Sequence, residues 1–272
     1  MKVLVLGSKS FLSQEIKQYF CERNFFYIDR KTLDLENKYA VDSFFEKNYF
    51  DIVINTCVAG GKRDVIDTFQ VLNSNILIFN NLLNNSKRYG KLFNFCSGAA
   101  FDRATDIREA KEEEIFLKNP KDYYGLSKNI ISRESVNFHN IYTFRIFGCF
   151  GKFESDNRFI KNSVNRIKNK EGILIIADKY MDYISADDLC RVLEFYMLNE
   201  INYRDINLTY GKKIKLSDIA KNILIFKKSD QDVTIQDSKL SYSYTGDNSK
   251  LDSLNIKIKG LEKSLEEILC QI

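Results

Sequence analysis

The chain opens with Met1-Lys-Val-Leu-Val-Leu-Gly7-Ser-Lys-Ser10-Phe-Leu-Ser13. The apolar run before Gly7 indicates a buried strand and the apolar spacing over 11–20 a helix, so the stretch predicts a strand, a turn and a helix. The turn keeps the first glycine of a G-x-x-G-x-x-G pattern and has Ser10 and Ser13 at the other two positions. Such glycines let the chain turn, let backbone approach a pyrophosphate, and let the helix pack on the sheet. These residues alone fit both a dinucleotide-binding loop and an ordinary turn.

Strands and helices alternate through the first half of the chain. Apolar runs predict further strands at residues 25–29, 51–56, 91–96 and 143–147. Helical spacing predicts further helices at residues 40–47, 65–83 and 124–138. This alternation implies an α/β fold with a doubly wound parallel sheet. Ligands bind beyond the carboxyl ends of the strands in such sheets, and Ser97 follows one of these strands directly.

The alternation is looser after Gly151. Helices are expected at residues 158–168, 186–198 and 216–226, and strands at residues 172–176 and 206–209. We expect residues 1–151 to form a dinucleotide-binding domain that residues 179–205 complete. We expect residues 152–178 and 206–272 to form a substrate-binding region. The acidic run Lys111-Glu-Glu-Glu114 is expected to be solvated.

The composition excludes several classes of protein. The net charge of +4 comes from 41 basic and 37 acidic residues spread along all 272 residues, which argues against a nucleic-acid partner. No apolar run approaches the roughly 20 residues that span a bilayer, and the first residues do not form a signal peptide, so we expect no membrane partner and a cytoplasmic location. The six cysteines have no paired spacing, so neither disulfides nor a metal site is indicated.

Tyr124 and Lys128 lie four residues apart in a predicted helix, which places both side chains on one face. A nearby ammonium group stabilises a phenolate, so we expect Lys128 to lower the pKa of Tyr124 from about 10 and to make the phenol a usable acid or base. The same spacing is also common on ordinary helix surfaces, so this pair alone decides nothing.

The second predicted strand ends at Asp29, 22 residues after Gly7, where a carboxylate would bind an adenosine ribose. Arg30 follows it. The carboxylate favours the free hydroxyls of NAD, whereas the guanidinium favours the extra phosphate of NADP. These residues leave the choice between NAD(H) and NADP(H) open.

Together with Gly7, Ser97 and the Tyr124–Lys128 pair, the chain resembles an extended short-chain dehydrogenase/reductase nearly from end to end. The branch is that of the nucleotide-sugar epimerases, dehydratases and reductases, and the likeness is closest to the GDP-L-fucose synthases and dTDP-4-dehydrorhamnose reductases. Further stretches similar to family patterns are Asn73–Leu83 with Asn75, Met181–Asp188, Ile206–Gly211 and Ser249–Leu254.

The resemblance implies a Rossmann-type doubly wound sheet with a small C-terminal α/β region for the substrate. It implies catalytic roles for Ser97, Tyr124 and Lys128. The coenzyme residues that it implies are Gly7, Ser10, Phe11, Leu12, Asp29, Arg30, Asp34, Leu35, Cys57, Val58, Ala59, Asn75, Tyr124 and Lys128. The substrate residues that it implies are Ser97, Gly98, Ala99, Gly148, Arg158 and Arg166. It also implies a homodimer through a helix pair that includes the Tyr124 helix.

The implied reaction is reduction by NAD(P)H, with NADPH favoured, of a keto group at carbon 4 of a nucleotide-diphosphate 4-keto-6-deoxy sugar. Ala99 and Arg158 stand where the fucose synthases have cysteine and histidine, which argues against their epimerisation step. The dehydratases have Asp-Glu directly after the active-site hydroxyl residue, whereas this chain has Gly98-Ala99, which argues against a dehydration step. Two alternatives stay open: an NAD-dependent carbon-4 epimerase, which Asp29 supports, and a non-catalytic dinucleotide-binding sensor, which the serine-substituted turn allows.

Overall fold

The computed structural model describes residues 1–61 and 65–272. Its strands are β1 (Val3–Leu6), β2 (Phe25–Ile28), β3 (Phe50–Asn55), β4 (Tyr89–Ser97), β5 (Ile107–Ala110), β6 (Ile141–Ile146), β7 (Cys149–Phe150), β8 (Ile173–Ala177), β9 (Tyr180–Met181), β10 (Ile184–Ser185), β11 (Asp205–Leu208), β12 (Ile214–Lys215), β13 (Val233–Asp237) and β14 (Tyr244–Gly246). Its helices are α1 (Phe11–Tyr19), α2 (Lys38–Lys47), α3 (Phe69–Asn84), α4 (Tyr123–Ser135), α5 (Phe159–Lys168), α6 (Ala186–Leu198), α7 (Leu216–Lys227), α8 (Ser249–Ser253) and α9 (Leu261–Gln271).

Six strands of the described chain form a sheet in the order β11-β6-β4-β3-β1-β2. All neighbouring strands in it are parallel. Side chains alternate between the two faces of a strand. Val3 and Val5 of β1 accordingly pack in a core with α1 and α6, while Leu4 and Leu6 pack in a second core with α2, α3 and α4. Helices on both faces of a parallel sheet confirm the α/β doubly wound fold class.

The C-terminal part of the chain builds smaller sheets beyond the carboxyl ends of these strands. One sheet has the order β12-β9-β14-β5, and β8 pairs in parallel with β13. Helices α5, α7 and α9 share an apolar core with this region. Strand β5 comes from the first half of the chain and pairs with β14, so the two parts are joined by backbone pairing as well as by covalent connection.

The structure differs from the sequence predictions at several places, and helix α4, for example, ends at Ser135 rather than at residue 138. Helix α3 begins at Phe69 rather than at residue 65. Residues 149–150, where the sequence predicts no strand, form β7, which pairs with β10. The acidic run is not wholly solvated: Glu112 is 2% exposed, accepts a hydrogen bond from Asn207 N at 2.8 Å, and lies 3.3 Å from Lys250 Nζ.

No helix within residues 1–61 and 65–272 is long and apolar enough to cross a membrane.

Candidate active site

The turn after β1 explains the two serines that replace glycines. Gly7 has φ +83°, a left-handed conformation that favours glycine, and a Cβ there would lie 2.8 Å from Cys57 Sγ. Ser10 is the N-cap of α1: its Oγ accepts a hydrogen bond from Ser13 N at 3.1 Å and donates one to Thr56 Oγ1 at 2.7 Å. Ser13 is completely buried, so its small size serves the packing of helix on sheet.

A continuous groove runs along the carboxyl ends of the strands. It consists of a cavity of about 470 Å³ and one of about 740 Å³, which share Ser10, Thr56, Cys57 and Val58. From the predicted coenzyme set, the smaller cavity is also lined by Gly7, Asp29, Arg30, Asp34, Leu35 and Ala59. From the predicted coenzyme, catalytic and substrate sets, the larger cavity is also lined by Phe11, Leu12, Ser97, Tyr124, Lys128, Gly148 and Arg158.

The outer end of the smaller cavity carries both signs of charge. Asp29 lies 2.8 Å from Lys9 Nζ and accepts hydrogen bonds from the backbone of Lys31 and Thr32 at 3.1 and 3.2 Å. The hydrogen bond from Lys9, the largest cause, and those from the Thr32 backbone and side chain lower the pKa of Asp29 to about 2. A carboxylate that stays ionised is thus available to a ribose hydroxyl, and Lys9 adds a cation that the motif did not indicate.

Arg30, the neighbouring cation, is paired as well. Its Nη2 lies 3.4 Å from Asp34 and 3.2 Å from Glu36, while the side chain stays 72% exposed. Exposed ion pairs of this kind are weak, so a ligand phosphate can compete for the guanidinium.

Asn75 does not line the groove and instead supports one wall of it. Its Oδ1 accepts a hydrogen bond from Ala59 N at 2.8 Å, and its Nδ2 donates to Ala59 O at 3.1 Å and to Ser127 Oγ at 3.0 Å. One buried amide therefore ties the segment after β3 to α4, where Tyr124 and Lys128 lie.

Helix α4 presents Tyr124 and Lys128 to the larger cavity, as their spacing predicts. The Asp122 carboxylate caps the helix by accepting from Gly125 N at 2.7 Å. Lys128 is 5% exposed, donates to Phe95 O at 3.0 Å, and lies 5.9 Å from the centre of the Tyr124 ring. Gly61 lies against the same ring: its φ is +71°, and a Cβ would lie 2.8 Å from Tyr124 Cε2.

The pKa of Tyr124 differs from the sequence expectation. Burial raises the pKa of the phenol above its ordinary value, and the neighbouring Tyr244 raises it further, while Ser97 and Arg103 lower it. Burial also lowers the pKa of Lys128. The direction is opposite to that predicted from the Tyr124–Lys128 spacing, because removing the phenolate from water costs more than the nearby cations recover.

Ser97, the last residue of β4, has three groups within hydrogen-bonding reach, including the Tyr124 phenol, whose pKa it lowers. Its Oγ accepts from Ala99 N at 3.2 Å and lies 3.2 Å from the phenol oxygen of Tyr244. Gly98 and Ala99 are buried in the short 3-10 turn that follows, and neither lines the groove. A Cβ at residue 98 would lie 2.5 Å from Phe147 Cδ1, which explains the glycine.

The two arginines predicted for the substrate are in different places. Arg158 lines the larger cavity: its Nη2 donates to Cys149 O at 3.1 Å, and its Nε lies 3.4 Å from Glu154. Arg166 does not line the groove. Its Nε donates to Gly172 O at 2.6 Å, and its Nη1 lies 3.2 Å from Glu171, so its guanidinium secures the end of α5.

Among the residues that line the larger cavity and that sequence reasoning missed are Arg103, Lys179 and Tyr244. The Arg103 guanidinium lies 5.6 Å from the centre of the Tyr124 ring and pairs with Asp122 at 2.8 Å. Lys179 Nζ lies 5.8 Å from the centre of the Tyr244 ring. None of the three belongs to a motif or a fixed spacing, so the sequence carried no signal for them.

Among solved structures, the chain is similar to a dTDP-4-dehydrorhamnose reductase from Clostridium acetobutylicum, with 23% identity, a TM-score of 0.83, and 100% of both chains covered. It is also similar to a GDP-mannoheptose C4 reductase from Campylobacter jejuni with NADP bound, with 18% identity, a TM-score of 0.83, and 98% of this chain and 96% of the other covered. A third similar structure is a GDP-L-fucose synthetase from Naegleria fowleri bound to NADP, with 16% identity, a TM-score of 0.80, and 99% of this chain and 91% of the other covered.

At these identities the solved structures establish a shared fold. No curated protein matches the chain. The model of one protein family matches residues 3–209, which include β1, the turn at Gly7, Ser97 and the Tyr124–Lys128 pair. That match covers well over half of the 272 residues. The chain therefore belongs to the NAD dependent epimerase/dehydratase family.

Proposed function

We propose that the chain is a reductase that uses NAD(P)H to reduce a keto group, at carbon 4, of a nucleotide-diphosphate 4-keto-6-deoxy sugar. The observation that carries this proposal is the groove in which Ser97, Tyr124 and Lys128 line one cavity that continues into the cavity beside Asp29 and Arg30. The positions after Ser97 are a buried glycine and a buried alanine, so no acid stands there to expel water from the sugar.

The residues of the smaller cavity fit a dinucleotide. The left-handed Gly7 leaves a hollow that a Cβ would fill, and α1 begins at its edge, where backbone N–H groups attract a pyrophosphate. Ser10 lines both cavities and adds a hydroxyl group to that part of the groove. When bound, the reduced coenzyme supplies the hydride. Lys128 would hold the nicotinamide ribose, and Asp29 the adenosine ribose.

In the larger cavity, each polar side chain has one role in ketone reduction. Tyr124 donates a proton to the carbonyl oxygen as negative charge develops there. Its raised pKa keeps the phenol protonated until it is needed. Ser97 donates a hydrogen bond to the same oxygen and stabilises that charge. The Arg103 guanidinium and Lys128 Nζ lie 5.6 and 5.9 Å from the centre of the Tyr124 ring and stabilise the phenolate that remains.

NADPH is the coenzyme that we favour. Lys9 and Arg30 line the same cavity and present two cations near the ribose position, and the similar C4 reductase and fucose synthetase structures each contain NADP. At the other end, Arg158 is the residue that we propose for the substrate diphosphate, since it lines the cavity and Arg166 does not. Residues 152–178 and 206–272 stay our proposal for the substrate-binding region.

The proposal is tested by turnover. Purified protein with NADPH or NADH is mixed with dTDP-, GDP-, UDP- and CDP-linked 4-keto-6-deoxy sugars, and the loss of absorbance of the reduced coenzyme is followed. Thermal unfolding with each free nucleotide diphosphate and each coenzyme identifies which ligands the native state binds, because such ligands raise Tm. Turnover with at least one sugar is expected; binding of both ligands without turnover would contradict the proposal and favour a sensor.

A carbon-4 epimerase is the second candidate, and the ionised Asp29 carboxylate at the ribose end favours it, because a carboxylate there suits NAD. An epimerase must retain its coenzyme through removal and return of the hydride. The absorbance spectrum of the freshly purified protein separates the two candidates: a stoichiometric, tightly held nicotinamide supports the epimerase, and protein free of coenzyme supports the reductase.

We also propose a homodimer through the outer faces of α3 and α4. These helices carry exposed apolar side chains, among them Phe69, Leu77, Tyr123 and Ile130, and the Phe69 ring lies 6.1 Å from that of Tyr123. Several exposed apolar side chains on two neighbouring helices are typical of an interface. Light scattering after size exclusion should give twice the chain mass, and Ile130→Glu should reduce it to one chain. Ile176→Glu, at an apolar site that is 73% exposed elsewhere, is the control that should stay dimeric.

A further inference from the structure

The backbone of Tyr244 is fixed at the edge of the larger cavity. Strand β14 lies between β5 and β9, and Tyr244 is paired with Ile107 and with Met181. Its carbonyl oxygen accepts from Asp182 N at 3.1 Å, and Gly246 N donates to the Asp182 carboxylate at 3.1 Å. A residue held by two strands and a buried carboxylate presents its side chain in one direction.

The ring of Tyr244 is fixed as well. It packs edge to face on Phe147 at 5.3 Å between ring centres, and Phe147 itself stacks on Phe101 at 6.1 Å. A Cβ at residue 246 would lie 2.3 Å from Phe147 Cε2, so the neighbouring glycine makes room for this aromatic stack. The stack holds the Tyr244 phenol oxygen at 3.2 Å from Ser97 Oγ.

The donors and acceptors around Ser97 then determine what this contact does. A serine hydroxyl has one proton and two lone pairs. One lone pair accepts from Ala99 N at 3.2 Å. If Ser97 is to donate its proton to a substrate carbonyl, the second lone pair must accept from Tyr244. Two accepted hydrogen bonds leave one direction for the proton, which is the side of the cavity where the Tyr124 phenol lies and where the substrate carbonyl would bind.

The geometry points to Tyr244 as a positioning residue that donates to Ser97 Oγ and so directs the Ser97 proton at the substrate carbonyl oxygen. This inference rests on the proposed ketone reduction and adds to it a residue from the C-terminal region of the chain. Tyr244 acts through Ser97, whereas Tyr124 supplies the proton that is transferred.

The test is a double-mutant cycle of wild type, Ser97→Ala, Tyr244→Phe and the double variant. It measures kcat and KM with NADPH and the dTDP- or GDP-linked 4-keto-6-deoxy sugar that wild type reduces. Loss of one orienting hydrogen bond should lower kcat of Tyr244→Phe about tenfold and leave KM within about twofold. In the Ser97→Ala background the same substitution should change kcat by less than about twofold, because the hydroxyl that Tyr244 positions is gone. Tyr180→Phe, on the adjacent strand β9 and outside the larger cavity, is the control and should match wild type.

Other outcomes overturn the inference. A tenfold loss that multiplies with that of Ser97→Ala means that Tyr244 acts on the substrate directly, and a raised KM with unchanged kcat means that it only binds. The contact itself is tested without substrate by Tm: the shifts of the two single variants should not add in the double variant, and additive shifts would refute the hydrogen bond. Absence of turnover by wild type refutes the proposed reaction and leaves the Tm result to decide the contact.

Discussion

The two regions that meet at the groove are held together by different forces. The six-stranded sheet and its helices are built on alternating apolar residues, with Leu4 and Val5 of β1 facing opposite cores. The C-terminal region has an apolar core of its own, but buried carboxylates attach it to the rest of the chain. Asp188, Asp182 and Glu112 are each at most 2% exposed. The apolar packing of the sheet follows a periodic sequence pattern. The contacts of the buried carboxylates depend on partners that are far apart in the chain.

Asp188 is the buried carboxylate with the most long-range contacts described for these three. Its carboxylate accepts hydrogen bonds from the Tyr210 phenol at 2.6 Å, from Ser264 Oγ at 3.2 Å, and from the backbone of Lys259 and Gly260 at 2.8 and 3.1 Å. The Asp188 side chain, at the start of α6, therefore binds both the segment that follows β11 and the segment that precedes α9. These four partners lie 22 to 76 positions away in the chain.

The largest effect is expected in the first region, at Tyr124. Tyr124→Phe should lower turnover by roughly 10²–10⁴-fold, because one acid–base group is lost. Coenzyme affinity should stay near that of wild type, since the ring still packs on Gly61. The measurements are kcat of keto-sugar reduction and a binding titration with NADPH.

Tyr123→Phe removes the neighbouring phenol oxygen of α4 and is the matched control, with turnover close to wild type. Turnover of Tyr124→Phe close to wild type would refute the proposed proton donor.

At the junction of the two regions, Asp188→Ala should lower the free energy of unfolding by about 3–5 kcal/mol, because several buried donors lose their acceptor together. Asp187→Ala removes the adjacent carboxylate, which is 40% exposed and pairs with Arg191 and Lys259. Exposed pairs contribute little, so that variant should lose less than about 1 kcal/mol. Urea denaturation at pH 7 measures both, and equal losses would show that the buried carboxylate is not what attaches the C-terminal region.

Asp182, another of the buried carboxylates that join the two regions, should make the stability of the protein depend on pH. Burial, the largest cause, raises its pKa from 3.8 to about 6. A raised acid pKa means that the protonated form is favoured in the folded protein, so its contribution is complete below pH 3.8 and is lost as pH rises through about 6. The loss corresponds to about 3 kcal/mol.

The measurement compares the unfolding free energies of wild type and Asp182→Asn from pH 4 to pH 8. Relative to the variant, wild type should become less stable between about pH 4 and pH 6 and then change no further. A difference between the two proteins that is constant across this range would contradict the prediction.

The same contrast explains how much could be predicted from sequence. Helix α6 begins and ends where its apolar spacing predicts, at Ala186 and Leu198, and Ser97 lies at the carboxyl end of its strand, one residue inside it, because both depend on local pattern. Glu112 was expected in water, and its partner Asn207 is 95 positions away. Tyr244 reaches Ser97 across 147 positions. Hydrophobic periodicity does not show such long-range pairings. The sequence therefore predicted the parallel sheet and the placement of Ser97 at the end of a strand, but not the side of the larger cavity that Tyr244 lines.

The smallest expected effect tests which arginine binds the diphosphate of the substrate. Arg158 lines the larger cavity and its side chain is 39% exposed, whereas Arg166 is engaged by Gly172 O and Glu171 outside it. A guanidinium that binds a diphosphate contributes a charge-assisted hydrogen bond. Arg158→Ala should therefore raise KM for the nucleotide sugar about tenfold with kcat changed by less than about twofold, which corresponds to about 1.4 kcal/mol. Arg158→Lys should recover part of the affinity, because it keeps the charge but not the fork.

Arg166→Ala is the control, on the helix that Arg158 caps, and its KM should stay within about twofold of wild type. A tenfold rise for Arg166→Ala with none for Arg158→Ala would mean that the family pattern, which points to Arg166, predicts the substrate contact better than the cavity does. Such a result would require α5 to turn its basic face toward the groove when the sugar nucleotide binds. Equal rises in both would place the diphosphate between the two arginines and extend the substrate site along α5.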